Sequence, residues 1–316
     1  MGLVYFNGRF IPEEHIEKTA NKDRVLDLLR SYVDGNSSGL VRFLLNTWKS
    51  QGNAITYKEL REAILAGDID PKWLEDWMQD YSRFVVKYLQ PAWERAMTAA
   101  GDLAAEHPGW HFNPAADAVK RWVESHTAEL VTNVTTTQID AIRAVVQRAA
   151  VRQAAVQNAL SVDELARAIR PMVGLTKPQA EANMRYFEKL IDNGVSPKRA
   201  QDLSARYAAR QHRYRAMSIA RNELAEAYNT GAHEGTKQAI AAGYLPEMMK
   251  VWSTSLDELR RCDACKALEG VPVGMDDEFI YESKSGRRTT ALKPPLHPQC
   301  MCAVMYVRAD SVRNNM

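Results

Sequence analysis

Cys262-Asp-Ala-Cys265 and His297-Pro-Gln-Cys300-Met-Cys302 hold all four cysteines of the chain, and the second stretch follows Lys293-Pro294-Pro295-Leu296. Two close groups of soft donors, brought together by an intervening loop, are what a tetrahedral zinc site requires. Five candidate ligands (Cys262, Cys265, His297, Cys300 and Cys302) compete for four positions. The ligand set stays open, because His297 can either bind or merely cap the proline-rich turn while four cysteines bind. A shell of four protein donors leaves no position for water, so such a site is structural. The other reading of CxxC is a reversible Cys262–Cys265 disulfide. That reading wants a βαβ context, which the sequence does not offer. Cysteine is absent before residue 262 and then clusters with a histidine, which favours reduced thiols and metal.

Around the knuckle the pattern is that of short strands. Residues 250–254 alternate, and 271–273, 279–281 and 289–292 supply further strand candidates with Ser285-Gly286 as a turn. Residues 303–307 are expected to close the sheet.

Upstream the chain reads as helix. Residues 14–34 carry Ile16, Val25, Leu26, Leu28 and Leu29, and are expected to stop at a Gly35-Asn36-Ser37-Ser38-Gly39 loop. Leu40, Phe43, Leu44 and Trp48 mark the next helix. Thr56-Tyr-Lys-Glu59 and Ser161-Val-Asp-Glu164 have the capping-box spacing, and Asp70-Pro71 is a cap and first-turn pair. Pro91 predicts a kink or a new start. The breaker-rich run His107-Pro-Gly-Trp-His-Phe-Asn-Pro114 predicts a domain boundary. Beyond it, helices are expected over 115–125, 137–160, 180–192, from 198 to about 207, and over 214–242, with Gly243 as a C-cap. Six of the seven tryptophans (Trp48, Trp73, Trp77, Trp93, Trp110, Trp122) precede residue 123; their helical spacing favours a core over a platform for stacking bases. The fold class is therefore mainly α: helical N-terminal and middle regions, with a small C-terminal α+β domain knit by a zinc site.

Composition narrows the class further. With 316 residues, 46% hydrophobic and 25% charged, the chain can bury ordinary cores. A net charge of +2 does not advertise nucleic-acid binding, so any basic surface must be local. No apolar run approaches the roughly 18–20 residues that span a bilayer, so no membrane partner is expected. The start at Met1-Gly-Leu-Val-Tyr-Phe6 has neither a secretory nor a myristoylation pattern.

Four blocks, in order, carry a resemblance. They are Ile219-Ala-Arg-Asn-Glu-Leu-Ala-Glu-Ala-Tyr-Asn-Thr-Gly231, Val251-Trp-Ser-Thr-Ser255, Cys262-Asp-Ala-Cys265, and Pro294-Pro-Leu-His-Pro-Gln-Cys-Met-Cys302. Val173-Gly-Leu-Thr-Lys-Pro-Gln-Ala180 adds a helical lead-in. Together they resemble the phage Mu F-protein-like head morphogenesis or minor capsid proteins, over about 170–307. Asn222 and Met301 depart from the family's usual Thr and Arg. The resemblance implies a low-copy component of a tailed-phage head, found in the virion and in host cytoplasm during assembly. It implies association with the portal protein, with packaged DNA and the major capsid or scaffolding protein as further partners, a link to DNA packaging or delivery, and no catalytic activity. The corresponding division is 1–112 as a Trp-rich helical domain for portal docking, 113–205 as a helical middle region, and 206–316 as the head morphogenesis domain with its zinc module. With Met316 about nine residues past Val307, no enzyme domain fused after the motif is expected.

Arg221, Glu223, Asn229, Gly231 and Trp252 form the family-like structural cluster, and an Arg221–Glu223 pair buried against the sheet is expected to dock helix on metal module. No nucleophile or phosphate loop accompanies Glu223 or Glu226, so enzyme activity is not expected. Arg206, Arg210 and Arg213 share a helix face and, with Arg215, are candidates for contact with DNA phosphates or an acidic protein surface. That stripe is the basis of an alternative reading, a zinc-containing non-specific DNA-binding protein of the phage head. Lys284, Arg287 and Arg288 mark a second basic spot at a hairpin tip.

Overall fold

A computed structural model describes residues 3–6, 9–12, 14–155, 160–254 and 261–313, with side chains from Lys22 onward except at 74–80, 155 and 313. Helix accounts for 68% of the described residues, with small antiparallel sheets near the C-terminus, so the fold is mainly α. The elements are β1 (Leu3–Phe6), β2 (Arg9–Pro12), α1 (Glu14–Ala54), α2 (Tyr57–Ala66), α3 (Pro71–Phe84), α4 (Gln90–Gly101), α5 (Asp117–Ala155), α6 (Val162–Ile169), α7 (Lys177–Asp192), α8 (Pro197–Ala241), β3 (Met248–Ser253), α9 (Asp263–Leu268), β4 (Pro272–Gly274), β5 (Phe279–Glu282), β6 (Arg288–Ala291), β7 (Ala303–Arg308) and α10 (Ala309–Arg313). Two compact units are assembled from non-contiguous segments. One takes Met1–Ser37, Ala92–Arg121 and Ile219–Met316; the other takes Ser38–Pro91 and Trp122–Ser218.

Helix starts follow the local chemistry. At α2 the Thr56 hydroxyl accepts from Glu59 N at 3.1 Å, and the Glu59 carboxylate accepts from Thr56 N at 2.6 Å. Ser161 and Glu164 repeat the arrangement at α6, and Asp70 accepts from Lys72 N at the start of α3. Gly243, at φ 78°, follows the end of α8.

Three expected breaks are absent. α1 runs through Gly35–Gly39, because Leu26, Leu29, Val33, Ser37, Leu40, Leu44 and Trp48 form one uninterrupted buried stripe. Packing along such a stripe outweighs about 1 kcal/mol of propensity per glycine. α5 continues across 126–136, where Thr127, Thr132 and Thr137 each donate to the carbonyl four residues back, at 2.6–2.8 Å. Their hydroxyls thereby find partners inside the helix instead of competing with it. α8 is likewise one helix of 45 residues. Before Pro91 the chain widens into a π turn over Val85–Leu89, with Gln90 N donating to Val85 O. The wider turn accommodates a ring that lacks an N–H and crowds the preceding turn.

Most of the described tryptophan side chains are core residues. Trp48, Trp93 and Trp110 are buried, and Trp73 packs against the core of the second unit. Trp122 is partly exposed and stacks on His126, and the Trp77 side chain lies outside the described residues. In the second unit Ile64, Ile142, Val145, Leu165, Ile169, Met184 and Phe187 pack α2, α5, α6 and α7 together. In the first unit a three-stranded antiparallel sheet has the order β4-β3-β7, with Met248 to Ser253 of β3 opposite Arg308 to Ala303 of β7. β5 and β6 do not join this sheet; they pair as a separate hairpin with Gly286 in its turn.

Candidate metal centre

Cys262 is the N-cap of α9, and its sulfur accepts from Cys265 N at 3.3 Å. One helical turn therefore places the two sulfurs on the same end of α9. Across from them, the turn from His297 to Cys300 is closed by Cys300 N donating to His297 O at 3.1 Å. Gln299 sits there at φ 63°, an uncommon conformation for a side-chain-bearing residue and one that clusters at functional turns. Cys302 directly precedes β7.

The result is one cluster of five donors. Cys262, Cys265 and His297 form one mutually close triad, and Cys265, Cys300 and Cys302 form another, within 4.8 Å in each. Cys265 Sγ lies 3.8 Å from Cys300 Sγ and 3.5 Å from His297 Nε2. A tetrahedral ion with metal–sulfur bonds of about 2.3 Å and metal–nitrogen bonds of about 2.0–2.1 Å requires edges of about 3.8 Å and 3.5 Å respectively. His297 Nδ1 lies 2.9 Å from Pro298 O, and donation to that carbonyl leaves the Nε2 lone pair facing Cys262 and Cys265. The residues fit a metal ion.

Electrostatics agrees with the geometry. Hydrogen bonds from Cys265 and Cys302 pull the Cys300 thiol down to about 2. The bond to Cys300, followed by Cys302 and burial, pushes Cys265 far up. At Cys302 the Cys265 contact acts downward, but Cys300 and burial prevail and raise it to about 12. The three packed sulfurs thus oppose one another's ionisation, because like charges crowd in a buried space. A divalent ion at their centre would let all of them ionise. Cys265, Cys300 and Cys302 are buried beside Trp252, Leu268, Phe279 and Val304, so the donors form part of this module's core.

The other sequence candidates divide cleanly. Asn229, 2% exposed on α8, donates from Nδ2 to Ala225 O at 2.9 Å and to Cys302 O at 3.1 Å. It thereby ties the long helix to the metal loop. Gly231 lies where α8 meets α4, and a Cβ there would overlap the backbone of Met97. Trp252 is fully buried and meets Phe279 edge-on at 5.1 Å. Arg221 does not pair with Glu223: it bonds Asp34 of α1. Residues two apart on a helix do not face each other, so the arginine joins α8 to α1 and not to the sheet. Glu223 itself is buried. Arg206, Arg210 and Arg213 are exposed on α8. Arg215 leaves that set: it is 6% exposed, donates to Gly174 O and lies over the Trp48 ring. Burial lowers its pKa to about 10. Lys284, Arg287 and Arg288 are exposed around the β5–β6 turn.

Sequence reasoning missed the polar interior behind the sheet. Lys250 is 0% exposed and donates to Asp277 O at 2.7 Å and Leu292 O at 2.8 Å, holding both ends of the β5–β6 hairpin. Desolvation lowers its pKa to about 8. Strand parity was the available signal, since Lys250 shares a face with the buried Trp252. His233 of α8 is 1% exposed beside this cluster; burial, then Lys250, Lys293 and Lys237, push its pKa to about 3.

Fold and site together define a class: a mainly helical protein whose C-terminal α+β module is built around a cysteine–histidine cluster able to hold a metal ion. The family model described as Phage Mu protein F like protein matches residues 144–305, which include all five donors and the helix bearing Asn229 and Gly231. The chain belongs to that family, which is one of structural and morphogenesis proteins, and membership suggests a phage head morphogenesis protein. No curated protein and no solved structure matches the chain. Among the described residues, no helix is long and apolar enough to cross a membrane.

Proposed function

We propose that the chain is a minor capsid protein of a tailed phage or prophage, which joins the portal during procapsid assembly and serves DNA packaging or delivery. The ion in its C-terminal module is zinc, held by four of the five donors in a closed structural shell. The observation that carries this reading is the family match over the very segment that gathers the cysteines and His297 and buttresses them with Asn229. Such a protein acts in the virion, after assembly in the host cytoplasm. Thiolate and imidazole donors at these separations suit zinc, and a four-ligand shell supplies rigidity without a reactive water.

The test is co-expression with the portal gene of the same genome, followed by affinity purification and mass determination. A defined complex with the portal ring supports the role. A chain that never co-purifies with portal, under conditions where both fold, overturns it.

A second reading keeps DNA as the main partner. Its support is that Arg206, Arg210 and Arg213 are exposed and make no ion pair among the described residues. Binding through phosphates would weaken steeply with salt, and salt-independent retention would rule it out.

A further inference from the structure

The second unit contains a groove that the cysteine–histidine cluster does not use. Its accessible apolar lining comes from small or short side chains: Leu45 on α1, Pro171 in the turn at Arg170–Met172, and Ala205 and Ala209 on α8, with Trp48 and Val173 buried among them. Its walls carry Lys49, Arg170 and Arg213, and no aspartate or glutamate lines it. Arg170 donates to Gly52 O at 2.8 Å and Asn53 O at 3.1 Å and lies over the Tyr57 ring, with no carboxylate partner among the described residues. Lys49 and Arg213 are exposed and have no carboxylate partner among the described residues. One turn and two turns before Arg213, Arg210 and Arg206 extend the positive rim along the same helix.

We infer that this groove docks an acidic, amphipathic segment of another head protein, with apolar side chains on the alanine floor and carboxylates on Lys49 and Arg213. Charge complementarity selects the occupant: unpaired cations around a concave apolar strip match a segment that alternates apolar and acidic faces. DNA fits less well. Single strands bind by stacking bases on open aromatic faces, whereas the Trp48 ring is 2% exposed and covered by Arg215 and His212, and the Tyr57 ring carries Arg170 at 4.6 Å. A duplex would use the rim and leave the floor empty. The inference rests on the proposed assembly role only for the choice of candidate partners.

The experiment uses the purified full chain and fluorescently labelled peptides tiled across the portal, scaffolding and major capsid proteins of the same genome, with a labelled DNA duplex in parallel. Binding is read by anisotropy. Acidic amphipathic peptides should bind, and Arg213→Glu should weaken them about tenfold or more. Ala209→Gln, an uncharged change at an exposed helical position, should do the same by filling the groove, while leaving any DNA binding through the arginines unchanged. Circular dichroism confirms that both variants fold. The groove proposal is overturned if no acidic peptide binds, if both variants bind like wild type, or if DNA alone responds to Arg213→Glu. Portal capture that survives Arg213→Glu with no peptide effect sinks the groove and leaves the assembly role standing. A groove-bound peptide from a different head protein, without portal capture, does the reverse.

Discussion

Gly231 and Gly39 both lie inside helices, yet they answer to opposite constraints. At Gly231 an added Cβ would overlap the Met97 backbone, which cannot swing aside as a side chain can. Gly231→Ala should therefore destabilise by about 1–3 kcal/mol despite alanine's better helix propensity. At Gly39 nothing lies within 4 Å, so Gly39→Ala should stabilise by about 0.5–1 kcal/mol. Urea unfolding of the two variants reads both signs, and equal shifts would show that close approach to α4 is not what holds Gly231. His233 adds a pH dependence. Its folded pKa of about 3 lies below the ordinary 6.5, so between these values the unfolded chain binds the extra proton. Stability is consequently lost as pH falls from 6.5 towards 3. His233→Gln should have a shallower loss over that window than wild type at matched metal loading; parallel curves would mean the imidazole is not buried neutral.

Elements were legible where their signals are local. Thr56, Asp70 and Ser161 announce helix starts because the cap and its partner lie within three residues, and the structure forms those bonds. Continuity was not legible. The Gly35–Gly39 run has the composition of a loop, and only a buried stripe extending well to either side keeps α1 intact. The threonines of α5 and the Tyr207–Tyr214 stretch of α8 mislead in the same way, since long-range packing overrides weak local preference. The strands and the hairpin turn at Ser285-Gly286 were legible, but not that this hairpin stays out of the β4-β3-β7 sheet. β5 and β6 pair with each other because Lys250 occupies the space behind β3 and holds the hairpin by its two ends. Lys250→Met would leave the Asp277 and Leu292 carbonyls unpaired, each at a cost of about 1–3 kcal/mol. Amide exchange should then accelerate in β5 and β6 and remain slow in the middle of α8. Unchanged hairpin protection would contradict the lysine's role as the clamp.

At the scale of the whole molecule, the two units solve stability differently. The second unit has an ordinary core of aliphatic side chains from four helices. The C-terminal module contributes few large apolar residues, chiefly Trp252, Leu268, Phe279 and Val304, with three cysteines among them. So small a core usually needs a staple, and structural zinc supplies on the order of 10 kcal/mol to such modules. This part of the site was legible in the sequence, because ligand spacing is a local constraint that a metal imposes. The buttress from Asn229 to the Cys302 carbonyl spans 73 residues and no spacing rule announces it; only the likeness of the Asn229–Gly231 block to a family pointed there. Likewise Arg215 could not be separated from its exposed neighbours until the Gly174 carbonyl and the Trp48 ring were in place.

If zinc knits the C-terminal module, native mass spectrometry of the full chain will show the bound ion. Protein purified under reducing, chelator-free conditions should carry one zinc ion per chain. Cys265→Ser, which removes the donor shared by both triads, should abolish it and lower the melting temperature. A folded wild-type chain that carries no metal, and whose melt is indifferent to chelator and to Cys265→Ser, would contradict the account.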